Sequence, residues 1–144
     1  MLLQIQEALT PILETYQVKL RIDAKDMFIY CDEKWMIEAL ENIIKNCIEQ
    51  MSNSYVDITC IDHSSYLEVM IKDYGNGIDK EDLPHIFERF YRVDKSHSRE
   101  IGGTGLGLAI TRSTIIMHRG AIKVHSEEGE GTTFTVRVPL NFIA

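Results

Sequence analysis

Three clusters of residues in this chain carry chemistry, and they come in a fixed order. Asn42, Asn46 and Gln50 recur at i, i+4 and i+8 in a segment of helical pattern. At that spacing the amides line one edge of a helix. An amide oxygen suits a hard cation such as magnesium and adds no negative charge beside a phosphate. Asp73 then leads into Tyr74-Gly75-Asn76-Gly77-Ile78, where two glycines let the backbone turn sharply and approach a ligand. A carboxylate held there can accept from an exocyclic amine such as that of adenine. Guanine would present a carbonyl oxygen instead, an unmatched pair that costs about 1–3 kcal/mol. Third, Gly102-Gly103-Thr104-Gly105-Leu106-Gly107-Leu108 opens a helix. The first N–H groups of a helix lack internal partners and favour phosphate. A metal ligand, a base-edge acceptor and a phosphate cradle are what a nucleoside triphosphate with its cation requires.

Each cluster alone also fits a plainer reading. The amide row fits a polar boundary on an amphipathic helix, the Asp73 segment a strand-to-loop turn, and the glycine run a hinge before a helix. The glycine run overlaps a dinucleotide fingerprint, but the preceding Lys95 to Ile101 is polar rather than a buried strand. A Walker-type loop fails too, because no Gly-Lys-Ser/Thr ending is present.

The elements that must position these clusters follow from periodicity. Leu2 to Tyr16 reads as a helix with a bend or break at Pro11. Lys19 to Ile22 and Met27 to Tyr30 read as short strands. Asp32 caps a helix from Glu33 to Met51 whose apolar stripe runs from Met36 through Ile43 and Ile44 to Ile48. Val56 to Ile61 and Leu67 to Lys72 alternate as a strand pair around His63-Ser64-Ser65. A long polar stretch follows, holding the knot Ile86-Phe87-Glu88-Arg89-Phe90-Tyr91. Its aromatics can tether a lid, with Arg89 and Arg92 free to meet phosphate oxygens. Leu106 to His118 reads as a helix stopped by Gly120, and Ala121 to His125 and Thr132 to Val138 as closing strands. The expected fold is α+β: a two-layer sandwich of a mostly antiparallel sheet on about three helices.

Bulk properties narrow the function classes. At 144 residues the chain fits one domain, residues 1–144, with a real core. A net charge of −7 argues against a nucleic-acid partner, which needs clustered Lys and Arg. Cys31, Cys47 and Cys60 are odd in number and lack CxxC spacing, which fits reduced thiols in a cytoplasmic compartment. No apolar run approaches the ~20 residues that span a bilayer.

In this order and spacing the motifs resemble the catalytic and ATP-binding domain of bacterial sensor histidine kinases. That domain belongs to the Bergerat-fold group with DNA gyrase, the mismatch-repair ATPases and a heat-shock chaperone. The resemblance runs from the leading helix to Val138-Pro139-Leu140 and includes the closing Glu128-Gly129-Glu130-Gly131-Thr132-Thr133-Phe134. It implies ATP and Mg2+ as cofactors and a mobile ATP lid. Asn46 would be the magnesium ligand, with Asn42 its companion and Gln50 next along the row. Asp73 would be the adenine acceptor, with Gly75, Gly77 and Ile78 shaping the base pocket. Tyr91 and Arg92 would flank the nucleotide. Gly103, Thr104, Gly105, Leu106, Gly107 and Leu108 would close on the phosphates, and Thr133 would lie behind the adenine. The implied partners are the dimerisation and phosphoacceptor helices of a membrane-anchored parent kinase and, indirectly, a response regulator.

Two departures stand out. Many members carry a Lys and an aromatic residue after the second Asn, where this chain has Glu49 and Gln50. None of His63, His85, His97, His118 and His125 sits in a His-Glu/Asp-x-x-x-Pro setting, so this chain alone is not expected to autophosphorylate. In related ATPases a Glu four residues before the magnesium-binding Asn activates water; here that position is Asn42, a neutral amide. Glu41 points about 100° away around the helix. Transfer to a histidine on another module is therefore favoured over hydrolysis. A docking module that transfers nothing and a serine or threonine kinase of the same fold are the alternatives.

Overall fold

The computed structural model describes residues 1–25, 31–91 and 107–140. The expected strand Met27–Tyr30, Arg92, and the glycine run through Leu106 lie outside the described residues. Helices α1 (Leu2–Tyr16), α2 (Glu33–Glu49) and α3 (Gly107–Met117) accompany strands β1 (Lys19–Asp23), β2 (Tyr55–Asp62), β3 (Tyr66–Asp73), β4 (Ala121–Glu127) and β5 (Gly131–Pro139). The strands form one sheet in the order β1-β2-β3-β5-β4. Only β1 and β2 pair in parallel; the other three pairings are antiparallel. The architecture is the expected α+β sandwich.

Burial explains why α2 is its central helix. Met36, Ala39, Leu40, Ile43, Ile44, Cys47 and Ile48 are all buried on one stripe. Val56 and Ile58 of β2, Val69 and Ile71 of β3, and Phe134 and Val136 of β5 complete the same core. Each large side chain withdrawn from water there contributes about 1.5–3 kcal/mol. Asp32 fixes the start of α2, its Oδ1 accepting from the Trp35 N–H at 3.1 Å.

Helix α1 continues past Pro11, without the break that is one of the two expectations there. Proline removes one N–H and crowds the carbonyl four residues earlier. That carbonyl belongs to Glu7, and both Glu7 and Pro11 are exposed, so water can satisfy it. The stop of α3 also differs from expectation: Arg119 takes the left-handed conformation (φ 61) while the Gly120 N–H returns to the Ile115 carbonyl at 2.9 Å.

Helices α2 and α3 pack antiparallel, and side chains stitch them along their length. The Asn42 Nδ2 donates to the Gly107 carbonyl at 3.2 Å. The buried Thr111 hydroxyl lies 3.0 Å from the Ala39 carbonyl. At the far end the Asp32 N–H donates to Nε2 of buried His118 at 2.9 Å, while His118 Nδ1 donates to the Thr114 carbonyl at 2.8 Å. These bonds fix where the first turn of α3 starts relative to the amide row on α2.

Candidate functional site

Strand β3 alternates so that Leu67, Val69, Ile71 and Asp73 face the helices, the first three within the apolar core. Asp73 thus stands where the pattern would place another apolar residue, and only 2 % of its surface is exposed. A buried carboxylate needs donors. Its Oδ1 accepts from the Gly75 N–H and from the Thr132 N–H, both at 3.0 Å. The Cys47 thiol of α2 lies beside this carboxylate. Burial pushes the Asp73 carboxyl above the usual carboxylate range, against the pull of the two backbone donors. Burial first, and then the Asp73 charge, push the Cys47 thiol well above its ordinary value. Both backbone bonds end on Oδ1, and Oδ2 accepts no hydrogen bond from the described residues.

The backbone around Asp73 is folded against the β4–β5 hairpin. Gly131 has φ +127, and a Cβ there would overlap the Asp73 carbonyl oxygen and lie 3.0 Å from its carbon. Only glycine lets the hairpin come close enough for the Thr132 N–H to reach the carboxylate. Gly77 has φ +81, and a Cβ on it would stand 2.5 Å from the Glu127 carbonyl oxygen. The Ile78 N–H donates to the Ser126 hydroxyl at 2.7 Å, and the Gly129 N–H to the Asn76 carbonyl at 2.8 Å. The turn is therefore held from both ends.

The amide row on α2 joins this turn to α3. Gly75 packs on the end of α2, its ideal Cβ position lying 3.1 Å from the Gln50 carbonyl oxygen and 3.3 Å from Gln50 Cβ. At the other end Asn42 bonds Gly107. Asn46 lies between them, half-buried, and its amide has no hydrogen-bond partner among the described residues. Eight residues of helix span about 12 Å, so the row crosses a distance that a base with an extended phosphate tail could occupy. Glu49 is half-buried on the same edge, and burial raises its carboxyl against the opposing charge of Lys45.

No group of three or more His, Cys, Asp or Glu among the described residues could hold a metal ion. A hard cation here would take its protein oxygen from an amide. The Asn46 side chain, unpartnered among the described residues, fits that role. Among the described residues no helix is long and apolar enough to cross a membrane.

Comparison with known proteins decides the family. Residues 31–141 match the model described as histidine kinase-, DNA gyrase B- and HSP90-like ATPase. The chain belongs to this ATPase family. The sensor histidine kinase YclK of Bacillus subtilis (strain 168) is 38 % identical over 138 residues, which cover 94 % of this chain and 29 % of YclK. The chain spans about a quarter to a third of the length of its curated relatives. Among solved structures, the catalytic domain of the histidine kinase ThkA superposes with a TM-score of 0.79 at 25 % identity, covering 95 % of this chain and 90 % of that one. Full-length ShkA in complex with AMPPNP gives a TM-score of 0.81 at 24 % identity over 98 % of this chain and 29 % of its own, a likeness of fold.

Within this ATPase fold the structure brings together Asn42, Asn46, Gln50, Asp73, Gly75, Gly77, Ile78 and Gly107. Leu108 follows on α3 and is half-buried. Arg92, Gly103, Thr104, Gly105 and Leu106 lie outside the described residues. Thr133 is not with the rest. Strand alternation turns it to the sheet's open face, opposite Lys72 and His125, while Thr132 beside it is buried and reaches Asp73. Counting back by two from the core residue Phe134 would have selected Thr132. Cys47 and Ser126 were also missed, and nothing in their local sequence marks them.

The aromatic knot divides. Ile86 is buried, and Phe87 meets core residue Phe134 edge-on at 6.4 Å between centroids, so these two anchor the segment. Phe90 is 68 % exposed and anchors nothing. Tyr91 stacks on His85, with ring centroids 5.2 Å apart, and donates its hydroxyl to Asp82. That bond pushes the phenol up to about 12.

Proposed function

We propose that this domain binds Mg-ATP along the α2 edge and donates the γ-phosphoryl group to a histidine on a separate dimerisation and phosphoacceptor module. The site acts in two-component signalling on the cytoplasmic side of a membrane-anchored parent kinase, upstream of a response regulator. The observation that carries this reading is Asp73: a buried carboxylate with Oδ1 saturated by backbone donors and Oδ2 left to accept from an adenine amine. From it the amide row leads to the first turn of α3, where phosphate is favoured.

In this reading Asp73 selects the base and the Gly75 and Gly77 turn shapes its pocket, with Ile78 as an apolar wall. Asn46 would hold Mg2+ through its amide oxygen, and Asn42 fixes Gly107 at the start of α3. When bound, the magnesium ion neutralises phosphate charge, which is the main demand of phosphoryl transfer. Asn42 has no basic function to activate water, and its Nδ2 is occupied by the Gly107 carbonyl. Hydrolysis therefore lacks its base, and an acceptor nitrogen on another module takes the phosphoryl group as ADP leaves. The name of ShkA's ligand and the names of the sensor kinase relatives support the same reading.

Calorimetric titration with a non-hydrolysable ATP analogue, with and without magnesium, tests the first half. Magnesium-dependent binding at one site supports it; no binding by folded protein overturns it. Transfer of labelled phosphate to a supplied phosphoacceptor module tests the second. Glu49 favours the rival reading, a nucleotide-binding docking module that transfers nothing, because it sets a carboxylate beside the presumed phosphates. Glu49→Lys is expected to tighten the ATP analogue about tenfold by reversing that charge. Unchanged affinity would show that Glu49 lies outside the phosphate field.

Asp73→Asn is expected to narrow the preference for ATP over GTP by about tenfold or more, because the amide can donate to the guanine carbonyl. Retained selectivity would make Asp73 structural. Stability should move the other way. A carboxyl raised in the folded state above its unfolded value of about 3.9 weakens the fold as pH rises through the raised value. The variant lacks that loss and keeps an oxygen for Gly75 and Thr132. Its stability advantage over wild type in urea unfolding should therefore grow between about pH 4 and pH 7. A gap that shrinks over this range would contradict the buried charge.

A further inference from the structure

Asp73 ends the β3 ladder, its last partner being Val56 on β2. Tyr74 is the first residue past that ladder and lies between the two groups that define the turn, the Asp73 carboxylate and the Gly75 N–H. Any rotation about its backbone carries that N–H off Oδ1. Its own N–H points to Met51 Sδ at 3.2 Å, a soft acceptor that holds weakly. The ring goes the other way, onto the open face of the sheet, and there it meets a built network.

Arg21 of β1 stands opposite Asp57 of β2, and Asp57 opposite Lys72 of β3. Arg21 forks onto Asp57, Nε to Oδ1 at 2.5 Å and Nη2 to Oδ2 at 2.9 Å. The Tyr74 hydroxyl donates to Asp57 Oδ2, and Arg21 Nη2 reaches the same hydroxyl at 3.4 Å. The Arg21 guanidinium also lies 4.2 Å from the Tyr55 ring centroid, and Lys72 Nζ 5.0 Å from the Tyr74 ring. Planar forks and ring faces of this kind restrict orientation more than a single flexible ion pair does. The row crosses three strands and terminates on the residue next to the buried carboxylate.

We propose that Tyr74, held through its hydroxyl by Asp57 and Arg21, is a positioning residue that fixes the Asp73–Gly75 turn for base recognition. It touches no ligand itself. It acts by keeping the Gly75 N–H on Oδ1 so that Oδ2 presents a fixed acceptor. This inference rests on the nucleotide reading of Asp73, and the two are separable by experiment.

Tyr74→Phe removes the hydroxyl and keeps the ring. Two readouts are taken on the whole domain. The first is amide hydrogen exchange at Gly75 and Thr132, the two donors to Oδ1, with Val136 in the mid-sheet as reference. The second is affinity for the ATP analogue and for GTP. The expected result is exchange about 3- to 10-fold faster at Gly75, with Val136 unchanged, and ATP affinity lowered by a similar factor with narrowed ATP-over-GTP preference. Asp57→Asn should reproduce the pattern, because it weakens the same acceptor without touching Tyr74, and it stands in should Tyr74→Phe fold poorly. A purely structural tyrosine would lower the melting temperature and leave the nucleotide preference intact; that outcome overturns the proposal. Unchanged exchange at Gly75 overturns it as well, whatever the nucleotide does. Faster exchange in a domain whose wild type binds no ATP analogue overturns the nucleotide reading and the positioning role with it, while the latch on the turn survives.

Discussion

Asn46→Ala is expected to weaken binding of an ATP analogue in magnesium by about 100-fold, to the level wild type shows in chelator. The size of the effect follows from what Asn46 does not do. Its amide has no partner among the described residues and sits half-buried in the middle of the row. Removing it orphans no group among the described residues, so folding stability should stay within about 0.5 kcal/mol of wild type. A hard cation that keeps waters and substrate phosphates would have few protein ligands to lose, so one amide oxygen would matter. Titrations with and without magnesium separate this from general damage. The variant should lose the magnesium-dependent part of affinity and keep the rest. If magnesium still tightens binding by the wild-type factor, Asn46 does not hold the ion.

The largest effect on folding is expected at Gly131. Replacing it with alanine adds a Cβ that overlaps the Asp73 carbonyl oxygen and comes within 3.1 Å of Tyr74 Cα, at a φ of +127 that L residues rarely adopt. Backbone strain and overpacking each cost about 1–3 kcal/mol, so a loss of roughly 3–5 kcal/mol is expected. In a domain of this size that lowers the melting temperature by about 10 °C or more. No side chain can give way, because backbone meets backbone. Relief requires the hairpin to withdraw, which takes the Thr132 N–H from Asp73 Oδ1 and leaves a buried carboxylate with one donor fewer. Gly129→Ala is the control. Gly129 shares the hairpin and a positive φ of 82 but has nothing within 4 Å of its Cβ position. Its replacement should cost only the backbone term. Equal melting temperatures for the two variants would show that the close approach to Asp73 contributes nothing.

The two substitutions probe different links of one chain of cause. Gly131 sets the distance between hairpin and strand, that distance supplies a donor, and the donor makes a buried carboxylate tolerable. Asn46 is reached only after the fold is complete. Nucleotide affinity should fall in both variants, but the melting temperature only in Gly131→Ala.

The apolar stripe of α2 and the alternation of β2, β3 and β5 determined the layers, because burial follows from which face a side chain occupies. Two periods, 3.6 and 2, encode that locally. The same alternation placed Asp73 on the inner face and would have placed Thr132 rather than Thr133 beside it. The motif order carried the resemblance to the family, and amide row, carboxylate turn and glycine run each carry a distinct chemical demand. What only the tertiary structure decided are contacts between residues far apart in the chain. Asn42 bonds Gly107, Asp32 bonds His118, and Tyr74 bonds Asp57 and Arg21. None has a local signature, because an unmarked side chain becomes a partner only when sheet order and helix packing bring it within about 3 Å. Pro11 shows the reverse case: local chemistry predicted a bend or break, and the helix continues without a break because Glu7 and Pro11 lie on its exposed side. The sequence determined which groups could bind a nucleotide; packing of the hairpin and the two helices decided how each is held.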